Sequence, residues 1–371
     1  MKFGFFAMPE HYPWENWTLS YDRDIDRIVY AGKMGFDEFW IDEHHTGDYE
    51  NVPVPEYMIA KASASTHKIR LGTGVVSMPI HDPFQVAERL AFLDQLTHGR
   101  LIAGIGAIGM PADGKLYEVN PAESKPRMLE GIEILEKYWN TEEPIAHEGE
   151  FWKYNERSIQ VRPYQENVPI GMAAVTSVSS FELAAEKGFY PISIFHTPIH
   201  SEGKNTLPSL KDQAAALDRG AIRAGRDPKE VRKEWRIIRE VYVAESREQA
   251  IEDIREGVHD SYQYLHEMGF TPYFKVNDKM RDEDVTMEYM IEAMPWIIGS
   301  PEDCIEQIKQ LEKETGGFGY FFINSRDWVP EDKWYRSIEL FARKVMPAFK
   351  NTGVRKASLE QALQKRIKVT S

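Results

Sequence analysis

Cysteine is almost absent: Cys304 is the single one in 371 residues. That excludes an intrachain disulfide and any metal centre built from several thiolates. No run of about 18 apolar residues exists either, so nothing reads as a membrane-spanning helix. Basic charge is scarce, with 45 Lys and Arg against 59 Asp and Glu and a formal net charge of −14. A nucleic-acid surface is therefore not expected, because such surfaces need a basic face. The basic stretch from Asn351 to Ser371 departs from this balance and reads as a fraying C-terminal extension. Phe3–Met8 is apolar but too short and too lightly charged in front for a secretory signal. The expectation is a cytoplasmic enzyme. What the chain does have is core material: 42% of its residues are hydrophobic, with 18 Phe, 17 Tyr and 9 Trp.

The pattern alternates between strand and helix. Strands are expected at Lys2–Met8, from Phe36, at Ile69–Ser77, Leu101–Gly106, Val168–Ala174, Tyr190–Phe195, Glu234–Ala244 and Phe318–Ile323. Helices fall between them, for example Asp22–Met34 with Gly35 as its stop, Pro55–Thr66, Lys125–Trp139 and a strongly signalled start at Ser300-Pro-Glu-Asp303. Eight strands alternating with helices favour one (β/α)8 TIM barrel, an α/β fold, over residues 1–350. Two segments break the rhythm. Residues 144–166 read as a β-hairpin insertion, and the Met- and Tyr-rich stretch 260–296 as a helical excursion or lid.

Phe36–Tyr49 is the most informative stretch. Its body is apolar and aromatic (Phe39, Trp40, Ile41), and its tip carries Asp42, Glu43, His44 and His45. Such tips build the active sites of parallel barrels. Side chains alternate along a strand, so His44 and His45, the candidate catalytic residues, point to opposite sides. That splay argues against a metal-dependent hydrolase, which needs a His-x-His pair on one face, and no metal is expected. Three further segments fall at strand ends: Gly72-Thr-Gly74, Gly104-Ile-Gly-Ala-Ile-Gly109 and the Ser- and Thr-rich Thr176-Ser-Val-Ser-Ser180. The second matches part of a dinucleotide fingerprint but has no helix opening directly after it. The third joins a strand to a helix, where free N–H groups and hydroxyls suit a phosphate as well as a plain cap.

These segments, taken in order from Lys2 to about Phe349, resemble the bacterial luciferase-like flavin-dependent monooxygenases. The resemblance rests on Trp40-Ile-Asp-Glu-His-His45, Ile69-Arg-Leu-Gly-Thr-Gly-Val-Val-Ser-Met-Pro79 and Leu93-Asp-Gln-Leu-Thr-His-Gly-Arg-Leu101. Gly104-Ile-Gly106, Ala184-Ala-Glu-Lys-Gly188 and Gly299-Ser-Pro301 continue the series. Gly316-Gly-Phe-Gly319 and Ile192-Ser-Ile-Phe195 are most similar to the limonene and diketocamphane branch.

The resemblance implies a barrel that binds FMN, taken as FMNH2 from a separate NAD(P)H:flavin reductase, and uses O2 on a hydrophobic small molecule. A terpenoid alkene or cyclic ketone is favoured. A deazaflavin (F420)-dependent oxidoreductase and a non-catalytic flavin-binding protein are the alternatives. His44 matches the family's catalytic histidine, and Thr73-Gly74 the site of a non-prolyl cis peptide behind the flavin ring. Met8, Gly106, Ala107, Ala174, Thr176, Ser177, Val178, Ser179, Ser180 and Phe195 complete the implied cofactor site. Where luciferase has an arginine near the phosphate, this chain has Ala107, so backbone amides, hydroxyls or another base must meet that charge. A dry aromatic pocket suits the chemistry, and Trp14, Met78, Met110, Trp296 and Phe318 are its candidate lining. A homodimer packed through Pro55–Thr66, with Ala60, Ala62 and Ala64, is also expected.

Overall fold

The computed structural model describes residues 1–174, 177–198, 208–275 and 279–350, so the basic tail lies outside the described residues. Eight parallel strands close into a ring: β1 Lys2–Ala7, β2 Glu38–Ile41, β3 Arg70–Thr73, β4 Leu101–Gly106, β5 Ile170–Ala174, β6 Tyr190–Ser193, β7 Arg236–Val243 and β8 Tyr320–Ser325. Each pairs with its successor, and β8 returns to β1 with Lys2 opposite Tyr320. The longer surrounding helices are α1 Trp17–Met34, α2 Pro55–Ser63, α3 Pro83–Thr97, α4 Pro121–Asn140, α5 Val178–Lys187, α6 Leu210–Arg223, α7 Arg247–Glu267, α8 Pro301–Thr315 and α9 Glu331–Leu340. None among the described residues is long and apolar enough to cross a membrane.

Strand alternation sorts side chains into two cores. Phe3, Phe5, Phe39, Ile41, Phe321 and Ile323 face outward into the layer between strands and helices. Phe6, Trp40, Ile102, Ile192, Ile238 and Phe322 fill the barrel interior. Trp40 is fully buried, and the glycines around it make room for the indole. A Cβ on Gly72 or Gly171 would come within 2.4 or 2.3 Å of that ring, and one on Gly104 within 1.8 Å of the Thr73 carbonyl oxygen. Burying one such aromatic is worth roughly 4–6 kcal/mol, an upper bound. Gly104, the first glycine of the apparent dinucleotide fingerprint, thus serves barrel packing.

Helix ends follow their signals. Ser300 and Asp303 form a reciprocal capping box at the start of α8, and Gly316 closes it at φ 77°. Helix α1 begins at Trp17, earlier than the apolar period from Asp22 implies, because the Asn16 side chain accepts from the Thr18 and Leu19 N–H groups. The hairpin insertion is Ile145–Glu148 paired with Lys153–Arg157. Within 260–296, α7 runs on to Glu267, and short helices Thr271–Phe274 and Met287–Ala293 follow. These pack their own apolar cluster around Tyr264, Leu265, Phe274, Val285 and Met290. One strand was not expected: Ile297–Gly299 pairs with the far end of β7, where β7 has left its partner β8.

Candidate active site

The C-terminal ends of the strands open onto one cavity of about 340 Å³. Met8, His44, Gly74, Gly106, Ala107 and Phe195 all line it, brought from five strand ends far apart in sequence. Between β3 and the short strand Val76–Ser77 the chain bulges. Gly72 faces Ile102 of β4, but Val76 faces Ile105, so one extra residue is accommodated. The non-prolyl cis bond in this bulge joins Gly74 to Val75, one residue beyond the expected Thr73–Gly74. Thr73 itself does not line the cavity; its hydroxyl donates to the Gly104 carbonyl at 2.8 Å.

The two histidines do point apart. His44 Nδ1 lies 3.1 Å from Asp113 Oδ2, while its Nε2 stands 3.7 Å from Asp42 and 3.5 Å from Glu50. Burial alone would lower the His44 pKa, but the Asp113 hydrogen bond and the Glu50 and Asp42 charges raise it to about 9. At neutral pH the ring is an imidazolium with Nδ1–H donated to Asp113. Asp113 is also fixed by the His45 N–H and by the Thr46 hydroxyl. Burial would raise the Asp113 carboxyl, and its hydrogen bonds to His44 and Thr46 hold it below the ordinary range.

His45 turns to Glu43. Its Nε2 and that of His81 both donate to Glu43 Oε1, at 3.2 and 2.9 Å, and Tyr117 closes on His45 Nδ1 at 3.0 Å. Burial opposes ionisation of Glu43, but the two imidazoles keep its pKa low. Two groups, Glu43–His45–His81 and Asp42–His44–Glu50, have ligand atoms close enough for a cation. In the first, the bonded imidazole nitrogens already point at one carboxylate oxygen, an arrangement that fixes the loop after β2.

At the start of α5, Ser177 and Ser179 flank the Lys125 ammonium at 3.0 and 2.8 Å. Burial lowers the Lys125 pKa. Val178 is half-buried against the outer core, and Ser180 is buried, its N–H donating to the Ser177 carbonyl at 3.1 Å. Ala174 ends β5, and Thr176 lies outside the described residues. Neither Lys125 nor Asp113 stood out in the sequence. Each reaches its partner across more than fifty positions, with no local pattern to signal it.

None of the five candidate lining residues is on the cavity wall. Trp14 is 73% exposed and stacks on Tyr12. Met78 is buried outside the barrel wall, where a Cβ on Gly131 of α4 would touch it. Met110 is buried, 3.1 Å from the Thr46 hydroxyl. Trp296 packs on Trp328 and lines a much smaller void behind Phe195. Phe318 precedes β8 and meets Trp235 just ahead of β7, which places it at the opposite, N-terminal rim. The apolar wall comes instead from Phe6, Val75, Ile108, Leu265, Phe270 and Phe274.

The family model for luciferase-like monooxygenases matches residues 1–317. The chain belongs to that family. It is 32% identical to 4-hydroxyprotoasukamycin monooxygenase of Streptomyces nodosus subsp. asukaensis over 94% of this chain and 92% of that protein. It is 31% identical to limonene 1,2-monooxygenase of Rhodococcus erythropolis, over 94% and 87% respectively. Among solved structures, the oxygenating constituent of 3,6-diketocamphane monooxygenase from Pseudomonas putida, in complex with FMN, superposes with a TM-score of 0.80 at 25% identity. That match covers 94% of this chain and 98% of the other. The chain is thus an enzyme of the luciferase-like monooxygenase family with a closed eight-stranded barrel.

Proposed function

We propose that this luciferase-like enzyme is a two-component, FMNH2-dependent monooxygenase that places one oxygen atom from O2 on a hydrophobic small molecule, a terpenoid alkene or cyclic ketone being favoured. The observation that carries the reading is His44, hydrogen-bonded to Asp113 at the wall of a largely apolar cavity at the strand tips.

The residues present fit FMN. Gly74, Gly106 and Ala107 leave a wall without bulky side chains for a flat ring. Lys125, Ser177 and Ser179 offer an anion a cation and two hydroxyls at the N-terminus of α5, which supplies the base missing at Ala107. When bound and reduced, the flavin would supply the electrons that activate O2. His44 holds a proton at Nε2 toward the cavity, and Asp113 keeps the ring from rotating. Leu265, Phe270 and Phe274, from the end of α7 and the segment after it, exclude water from the same space. The tight packing of Gly104 against the Thr73 carbonyl accounts for that glycine without a dinucleotide, and in this reading NAD(P)H belongs to a separate flavin reductase.

For His44→Ala we expect folding and FMN binding to persist while product falls by ~10²–10⁴ and hydrogen peroxide takes the reducing equivalents. The assay supplies FMN, NADH and a generic flavin reductase, and reads product and peroxide together. Wild-type coupling in His44→Ala would refute the assignment; loss in His45→Ala alone would move it to the other histidine. A homodimer through α2 and α3 belongs to the same proposal. Ala62 is buried in the core, but Tyr57, Phe92 and Leu96 expose 76, 54 and 45% of their surfaces there. Sedimentation as a monomer at micromolar concentration would count against it.

A further inference from the structure

Two buried polar side chains on the cavity wall have no hydrogen-bond partner among the described residues. Both carboxylate oxygens of Asp42 and the hydroxyl of Tyr264 make no hydrogen bond, although each residue is only 2% exposed. His44 Nε2, at 3.7 Å, is too far from Asp42 for one. Buried polar groups in native proteins are paired as a rule, so an orphan on a cavity-lining residue marks a place for a ligand to complete the bond. Both residues line the cavity whose other walls are Phe6, Val75, Phe270 and Phe274.

We infer that Asp42 and Tyr264 form a polar subsite that recognises a hydroxyl group on an otherwise apolar substrate, an inference that rests on the monooxygenase reading above. The sign of the lining supports it. Among the described lining residues Asp42, Glu43 and Glu50 are acidic and the one cation, His44, is already bonded to Asp113, so a carboxylate or phosphate on the substrate would find no free base there. Burial raises the Asp42 pKa, and the Glu50 charge adds to this against the opposing His44. Geometry rather than charge picks the ligand group: the unsatisfied atoms are carboxyl oxygens next to a phenol hydroxyl. That pair matches a hydroxyl, which donates to the Asp42 oxygen and accepts from the Tyr264 hydroxyl. A site built this way discriminates strongly against the analogue that lacks the hydroxyl, because its own buried groups are then left unpaired.

The test is binding, read by titration of FMN-loaded and FMN-free protein with perillyl alcohol and limonene, which share a skeleton and differ by one hydroxyl. The alcohol should bind at least about tenfold more tightly to the wild type. That advantage should shrink to about threefold or less in Asp42→Leu and in Tyr264→Phe, with the limonene affinity and the FMN affinity little changed. Asp42→Asn, which keeps size and polarity, should retain part of it. Equal binding of the two compounds by the wild type, failure of both to bind, or an advantage that survives in both variants would overturn the inference. So would a tenfold loss of FMN affinity in Asp42→Leu, which would assign the carboxyl to the flavin. A wild type that takes up no FMN would sink the cofactor reading instead, and the titration of FMN-free protein would still decide the subsite.

Discussion

Strand β2 carries an inward carboxyl at each end of the barrel, and the protein treats the two in opposite ways. Glu38, at the N-terminal end, takes hydrogen bonds from Arg236 at 3.0 and 2.7 Å and from the Trp40 indole at 2.9 Å. Arg236 in turn lies against the rings of Tyr190 and Tyr320, at 4.1 and 3.9 Å. Four residues on, Asp42 is just as buried and has no hydrogen bond among the described residues, only the His44 ring at 3.7 Å. Equal burial with unequal pairing separates the two roles. The paired end closes the barrel, and the unpaired end keeps polar capacity for something that binds. The same holds around it, where Arg326 binds Glu10 and Glu50 yet Glu240 keeps one oxygen unsatisfied.

That contrast breaks most visibly at the closed end. Arg236→Met leaves Glu38 charged and unpaired in the core, which should cost ~3–5 kcal/mol, measured by urea unfolding. Adding Glu38→Gln should recover much of the loss. A cost near zero would mean that the pair contributes nothing to closing the barrel. At the open end the effect is smaller and depends on pH. Glu10 is raised by burial to about 7 and His44 by its acidic neighbours to about 9, from ordinary values of 4.5 and 6.5. A raised group stabilises fully below its ordinary pKa and loses that contribution as pH rises through the folded value. Stability should therefore decline from pH 5 to 7 through Glu10 and from pH 6.5 to 9 through His44, by up to ~3 kcal/mol for the latter. Melting temperatures across this range check it. Asp113→Asn should flatten the upper limb, and an unchanged limb would place the proton elsewhere.

The barrel was legible because its signals are local. Short aromatic-rich runs define β1, β2 and β8, and Ser300-Pro301 with Gly316 brackets α8. The His44 tip was legible for the same reason. Ile297–Gly299 was not, since three residues carry too little period to separate a strand from a loop. Phe318 shows a different failure: its type announces burial, and only its place before β8 tells which rim it joins. Lys125 and Asp113 belong to helices whose faces are set by packing, so their convergence on Ser177 and His44 appears only in three dimensions.

The central claim is that the open end holds a flavin, and one titration tests it most directly. FMN added to the wild type should quench with a single saturable phase. Lys125→Ala, which removes the cation between Ser177 and Ser179 without touching the cavity wall, should weaken FMN about tenfold or more. Arg236→Met, measured where it remains folded, should leave the affinity unchanged. Binding of a deazaflavin in preference to FMN, or an FMN affinity indifferent to Lys125, would contradict the account.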